Sequence, residues 1–116
     1  MGKYSIVIHG GAGTILKSDM TPQLEEAYVR GLEEAVLAGN NILEKGGDAL
    51  DAIQDAIRTL EDNLLFNAGR GSVFTKKGVQ EMDAAIMDGK TLKAGAITGV
   101  RNVRNPIQLA YEVMAE

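Results

Sequence analysis

The amino-acid sequence predicts an α/β fold. Three observations carry that prediction. A β-branched run at residues 4–8 feeds a glycine loop. Two stretches with helical spacing of apolar residues follow, bounded by helix caps. Two apolar runs then flank the turn dipeptide Asp88-Gly89.

Tyr4-Ser5-Ile6-Val7-Ile8 reads as a buried strand, because β-branched residues favour extended backbone. It runs straight into His9-Gly10-Gly11-Ala12-Gly13. A helix start follows, with Thr21 as cap and Pro22 at the first helical position. Leu24, Tyr28, Leu32, Ala35, Ile42 and Leu43 then fall on one helical face. Gly31 and Gly39 sit inside that pattern, where glycine costs about 1 kcal/mol relative to alanine, so a close packing contact is expected at each.

Lys45-Gly46-Gly47 is a stop signal, a basic last turn followed by a glycine cap. Asp48 caps a second helix, whose apolar stripe is Ala49, Leu50, Ile53, Ala56, Ile57 and Leu60, and Asp51 in its first turn suits the helix dipole. The two helices are expected to form a tightly joined αα-hairpin. From Glu61 to Ser72 the periodicity fails, and an irregular loop with apolar anchors is expected. Val73-Phe74-Thr75 reads as a brief strand, Lys76-Lys77-Gly78 as a turn, residues 79–87 as a strand and residues 93–100 as the next. Asn105-Pro106-Ile107-Gln108 is a third helix start, with Asn105 as cap. No closing signal follows, and the sequence reads as a piece of a larger protein, with residues 1–116 as part of one domain.

Composition narrows the function classes. The chain has 116 residues, 45% of them hydrophobic and 24% charged, with 14 glycines and no Trp. That balance is typical of a globular protein with an aliphatic core. A net charge of −4 argues against nucleic acid as the main partner, which needs clustered Lys and Arg. Lys76, Lys77, Arg101 and Arg104 read as solvated turn and helix-flank residues. With no Cys, disulfides, Cys-based zinc sites and a Cys nucleophile are excluded within the chain, and a reducing cytoplasm is the default expectation. The apolar run at 4–8 is too short for a membrane span or a signal sequence.

His9-Gly10-Gly11-Ala12-Gly13 is the sharpest local motif. Its glycines leave backbone N–H groups free to point inward at an anion, an oxyanion or a strained peptide. The α/β-hydrolase reading lacks a Gly-x-Ser-x-Gly elbow. The phosphate-loop reading lacks Lys beside Thr14, and the dinucleotide reading has its helix too late. An ordinary glycine turn with His9 as a satisfied buried polar residue is the plain alternative. Phe66-Asn67-Ala68-Gly69-Arg70-Gly71-Ser72 is the second motif. Asn67 carries both donor and acceptor and can hold two backbone segments together. Glu81 and Asp83 share a strand face and Asp88 sits nearby, but a polar strand edge with a turn Asp is the favoured reading over acid–base or metal chemistry. His9 is the only histidine, which leaves no basis for a His-rich zinc site.

Five ordered blocks, running from Ile6-Val7-Ile8-His9-Gly10-Gly11-Ala12-Gly13 through Gly47-Asp48-Ala49-Leu50-Asp51-Ala52, Phe66-Asn67-Ala68-Gly69-Arg70-Gly71-Ser72-Val73 and Glu81-Met82-Asp83-Ala84-Ala85-Ile86-Met87-Asp88-Gly89 to Val103-Arg104-Asn105-Pro106-Ile107, closely resemble the plant-type asparaginase / isoaspartyl aminopeptidase family. The family consists of N-terminal-nucleophile hydrolases. The resemblance implies an αββα four-layer sandwich, of which this chain supplies the N-terminal part. It implies an inactive precursor that cuts itself before a threonine, giving α and β subunits that assemble as (αβ)2. The freed Thr is the nucleophile, and its amine can serve as base. The implied substrates are L-asparagine and β-aspartyl dipeptides.

The resemblance places no catalytic residue in this chain. Thr98 sits in the wrong order to be the nucleophile. His9, Gly10, Gly11 and Asn67 are implied as supports of the active centre and the cleavage site. Leu60, Glu61, Asn63, Phe66, Ala68 and Arg70 are implied to hold a structural sodium ion through backbone carbonyls, since hard cations prefer oxygen. No other cofactor is expected. Two further readings stand beside this one: a truncated, non-catalytic fragment, and an unrelated anion-binding α/β module built on the glycine loop.

Overall fold

A computed structural model describes residues 2–13 and 15–116; Thr14, the residue that would close a phosphate-loop pattern, lies outside them. Helix α1 spans Pro22–Glu44, helix α2 Ala49–Glu61, strand β1 Met82–Met87, strand β2 Ala94–Val100 and helix α3 Pro106–Ala115. Short 3-10 turns occupy Lys17–Asp19 and Gly69–Gly71.

The caps of the first two helices form as their sequence demands. Thr21 Oγ1 accepts from the Leu24 amide at 3.0 Å, and Asp48 Oδ1 accepts from the Asp51 amide at 2.9 Å. Each satisfies an N–H group that has no partner inside its helix. Helix α1 ends with the Gly46 amide donating to the Leu43 carbonyl (3.0 Å) and the Gly47 amide to the Ile42 carbonyl (2.8 Å). Gly46 takes φ +84°, which a side chain would resist. Lys45 is the cap residue itself, one position beyond the last turn.

The αα-hairpin closes along a seam of small residues. A Cβ at Gly39 would strike the Ile6 side chain and lie 3.0 Å from the Ala52 carbonyl oxygen. The interior glycine is therefore there for close approach of the helices, and buried Ala35, Ala52 and Ala56 continue the contact.

Strands β1 and β2 form one antiparallel two-stranded sheet. Met82 pairs with Val100 and Ala84 with Ile97, so a bulge sets Asp83 against Thr98 and Gly99. Asp83 Oδ1 accepts from Thr98 Oγ1 at 2.9 Å and from the Gly99 amide at 2.8 Å, which pins the extra residue. The inner face carries Ile86 and Ile97 onto α3, where Ile107, Ala110 and Met114 are buried, while Leu50, Ile53 and Ile57 of α2 complete the core.

Several expectations are corrected. Residues 4–8 pair with no strand among the described residues. Their alternation survives, with Ile6 and Ile8 half-buried and Val7 exposed, but a strand needs a hydrogen-bonding neighbour and composition cannot supply one. Val73-Phe74-Thr75 makes only a single bridge, Phe74 with Gln80, and the strand expected from residue 79 begins at Met82. The strand expected from Lys93 begins at Ala94. Helix α2 runs on through Glu61, which is buried and not the first loop residue. Asn105 makes no side-chain cap for α3; a residue from another helix takes that place.

Among the described residues, the part of the expected sandwich that this chain supplies is one two-stranded sheet with helix α3 on one face. Ala85, Met87, Ala94 and Ala96 on the other face are exposed. The radius of gyration is 15.3 Å, against roughly 13 Å for a compact domain of this length.

Candidate functional site

Phe66 organises the region that both sequence motifs point to. It is 5% exposed and meets Tyr28 of α1 edge-to-face, with ring centroids 5.7 Å apart at 89°. A Cβ at Gly31 would lie 2.8 Å from the Phe66 ring and 2.6 Å from Asn63 Nδ2. Helix α1 therefore gives up a side chain to admit the loop. On the ring's other side, a Cβ at Gly10 would lie 3.0 Å from Phe66 and 2.9 Å from Leu32. The glycine loop thus rests, through Gly10, on the ring of Phe66, the residue before Asn67 in the chain.

His9 is exposed, not buried as the plain alternative required. Its Nδ1 accepts from the Gly11 amide at 3.1 Å, and Gly11 holds φ +127°. One of the amides that an anion nest would use is therefore turned onto the loop's own imidazole.

Asn67 acts as a brace. Its Oδ1 accepts from the Val73 amide at 3.0 Å, which closes the loop over six residues. Gln80 Nε2 donates to the Ser72 carbonyl at 2.7 Å and the Arg70 carbonyl at 3.2 Å, tying the Phe74–Gln80 bridge to the same loop. Asn67, Gly69, Ser72, Glu81 and Asp83 line a cleft of about 290 Å³. The Ser72 hydroxyl is buried there and makes no hydrogen bond to the described residues.

The carbonyls expected to hold sodium lie in the tight turns of residues 60–70. Those of Asn63, Phe66 and Ala68 each accept one N–H from within the loop and that of Arg70 accepts from Gln80, whereas the Leu60 carbonyl accepts from both the Asp62 and Asn63 amides. A carbonyl oxygen has two lone pairs, so those of Asn63, Phe66, Ala68 and Arg70 each keep one, and that of Leu60 is the least available. A Cβ at Gly69, where φ is +53°, would fall 2.5 Å from the Glu61 carbonyl oxygen, so only glycine leaves that oxygen its space. The oxygen-only donor set and the Gly69 cradle fit a hard cation. No cluster of three His, Cys, Asp or Glu suited to a metal occurs among the described residues.

Glu61 does something sequence reasoning missed. Its side chain reaches α3, where Oε2 accepts from the Ile107 amide at 3.0 Å and Oε1 from Asn105 Nδ2 at 3.2 Å. Burial pushes its carboxyl above the ordinary range, and the two donors only partly offset that. The signal was the four-residue spacing Ile53, Ile57, Glu61, which puts the carboxylate on the helix's core side.

Glu81, Asp83 and Asp88 are each engaged by neighbouring groups. Glu81 pairs with Arg101. Asp83 is held below its usual range by the Gly99 amide and then the Thr98 hydroxyl. Asp88 is lowered by the Thr91 hydroxyl and then the Lys90 amide. Thr98 spends its hydroxyl on Asp83. Among the described residues, the contacts of Asn67 and Gln80 position and brace the loop.

A sequence profile for a family described as asparaginase matches residues 2–116. A Pyrococcus abyssi protein named plant-type L-asparaginase is 56% identical over 110 residues, covering 95% of this chain and 34% of that protein. An Escherichia coli K12 protein named isoaspartyl peptidase is 49% identical over 116 residues, 100% of this chain and 36% of that one. A Xenopus laevis protein named isoaspartyl peptidase/L-asparaginase is 50% identical over 112 residues, 97% of this chain and 35% of that one. The chain spans about a third of the length of the curated relatives it matches.

Proposed function

The chain belongs to the asparaginase family, and we propose on that footing that it is the N-terminal part of an amidohydrolase acting on L-asparagine, β-aspartyl dipeptides or both. The observation that carries this reading is the match over residues 2–116 to a family whose relatives bear those activities in their names. The nucleophile is a threonine outside this chain, freed by self-cleavage, and residues beyond these complete a four-layer αββα sandwich in an (αβ)2 assembly. The uncovered outer face of β1 and β2 supports such completion, because exposed apolar strand faces ordinarily have partners.

Within that enzyme this chain supplies geometry. Phe66 sets the height of the glycine loop and Asn67 fixes the loop of residues 67–73, which on this reading supports the reacting centre. Preorganised backbone of this kind needs no rearrangement at the moment of reaction. Carbonyls of Leu60, Glu61, Asn63, Phe66, Ala68 and Arg70 would hold a structural sodium ion, which would stiffen the loop. No helix among the described residues is long and apolar enough to cross a membrane; we place the protein in the cytoplasm, a reading supported by the lack of Cys.

Intact mass spectrometry of the purified protein, paired with ammonia release from L-asparagine and hydrolysis of a β-aspartyl dipeptide, tests the proposal. A second chain beginning with Thr, together with turnover, is the expected result. A single chain without turnover overturns the assembled-enzyme reading in favour of a non-catalytic fragment.

A further inference from the structure

The turn joining β1 to β2 is built almost entirely on Asp88. Its amide donates to the Lys93 carbonyl at 2.9 Å and its carbonyl accepts from the Leu92 amide at 2.8 Å. Its Oδ1 accepts from the Lys90 amide at 3.0 Å, and its Oδ2 from Thr91 Oγ1 at 2.7 Å. Thr91 Oγ1 in turn accepts from the Lys93 amide at 3.3 Å. Leu92 is forced to φ +63°, a left-handed conformation that a branched side chain resists.

The residue after Asp88 is glycine. Gly89 is exposed, and a Cβ there would meet nothing within 4 Å. Its amide makes no hydrogen bond to the described residues. An aspartate followed by an unhindered, free backbone amide is the arrangement needed for intramolecular attack on its side chain. The catalytic proposal above uses no part of this turn.

We propose that Asp88-Gly89 is a spontaneous isoaspartate-forming site that the Thr91 hydroxyl holds in check. The Gly89 nitrogen attacks Asp88 Cγ, forming the N–Cγ bond of a succinimide and expelling one water. Water then adds to the α-carbonyl of that ring and breaks its bond to the Gly89 nitrogen. The main chain afterwards runs through the side-chain carbonyl, one methylene longer, with the mass unchanged and no oxidant or reductant consumed. The neutral carboxyl is the better electrophile. The two donors on the Asp88 carboxylate favour its charged form and restrain its rotation, so they slow the first step. Conversion lengthens the backbone inside the Asp88–Lys93 closure and opens the hairpin end.

The full chain is incubated for weeks at mildly acidic pH and digested, and isoaspartate at residue 88 is located by electron-transfer fragmentation. Asp83 shares the tryptic peptide and serves as the internal control. Thr91→Ala is expected to raise the rate at Asp88 several-fold with the circular dichroism unchanged, and Thr91→Ser to restore the slow rate. Gly89→Ala, which the open space accommodates, is expected to abolish most of the conversion. A synthetic peptide spanning residues 82–96 is expected to convert several-fold faster than the folded chain, a comparison that does not depend on any variant folding. No isoaspartate at 88 in the peptide, or equal rates in peptide and folded chain, or equal rates in the wild type and a folded Thr91→Ala chain, overturns the proposal.

Discussion

The Glu61 carboxylate, at the last residue of α2, accepts the backbone amide of Ile107 at the start of α3, 3.0 Å away. With Glu61 only 3% exposed, a side chain from a distant helix does the capping that the sequence assigned to Asn105. Helix α3 carries the core face onto the sheet, so this one carboxylate couples the loop entrance at residue 61 to the packing of Ile107 and Met114.

Removing that coupling is expected to be costly. Glu61→Ala leaves a buried amide without an acceptor, at a cost of about 1–3 kcal/mol. Glu61→Gln keeps an acceptor oxygen and should lose less. Thermal unfolding of the two variants beside wild type checks the order; an alanine variant as stable as the glutamine one would refute the capping role.

The pH dependence at Glu61 has a definite sign. Burial raises its folded-state pKa above the ordinary value of 4.5, so the folded chain holds this proton more tightly than the unfolded chain. Its contribution is full below the unfolded value and is lost as pH rises through the folded one. Glu61→Gln should remove that decline from a denaturant-midpoint profile taken upward from pH 4.5.

Asp83 has the opposite sign. The Gly99 amide and the Thr98 hydroxyl lower its folded-state pKa, so its contribution is present above the unfolded value and lost as pH falls through the folded one. Asp83→Asn should flatten this acid limb and speed hydrogen exchange at the Gly99 amide. Unchanged exchange there would mean that the bulge does not depend on the carboxylate.

Gly31→Ala drives a methyl group into Asn63 and the Phe66 ring, and overpacking of this kind costs about 1–3 kcal/mol. Phe66→Ala empties a buried site, at about 3–5 kcal/mol. Differential scanning calorimetry reads both losses. In the assembled enzyme each should also depress turnover, because the ring supports Gly10 and precedes Asn67.

Asn67→Ala removes the bond to the Val73 amide. In the full-length precursor it is expected to slow self-cleavage, followed on a denaturing gel. Processing at the wild-type rate would take Asn67 out of the role proposed for it.

The starts of α1 and α2 and the stop of α1 were legible in the sequence. Thr21, Asp48 and Gly46-Gly47 start and stop helices through bonds to amides and carbonyls a few residues away, so the chain itself carries the information. Gly31 and Gly39 announced close contacts because glycine inside a helix carries a propensity cost that such a contact offsets. The ordered motif blocks likewise pointed to the asparaginase family before any geometry was known. Tertiary structure decided what local signals cannot contain. It left residues 4–8 without a strand partner, gave the cap of α3 to Glu61 rather than Asn105, and chose Phe66 as the body that joins the glycine loop to Asn67. Each of these depends on which groups meet across the fold: the spacing of Ile53, Ile57 and Glu61 turns a carboxylate toward the core, but which amide it meets there, dozens of positions away, is written in neither segment.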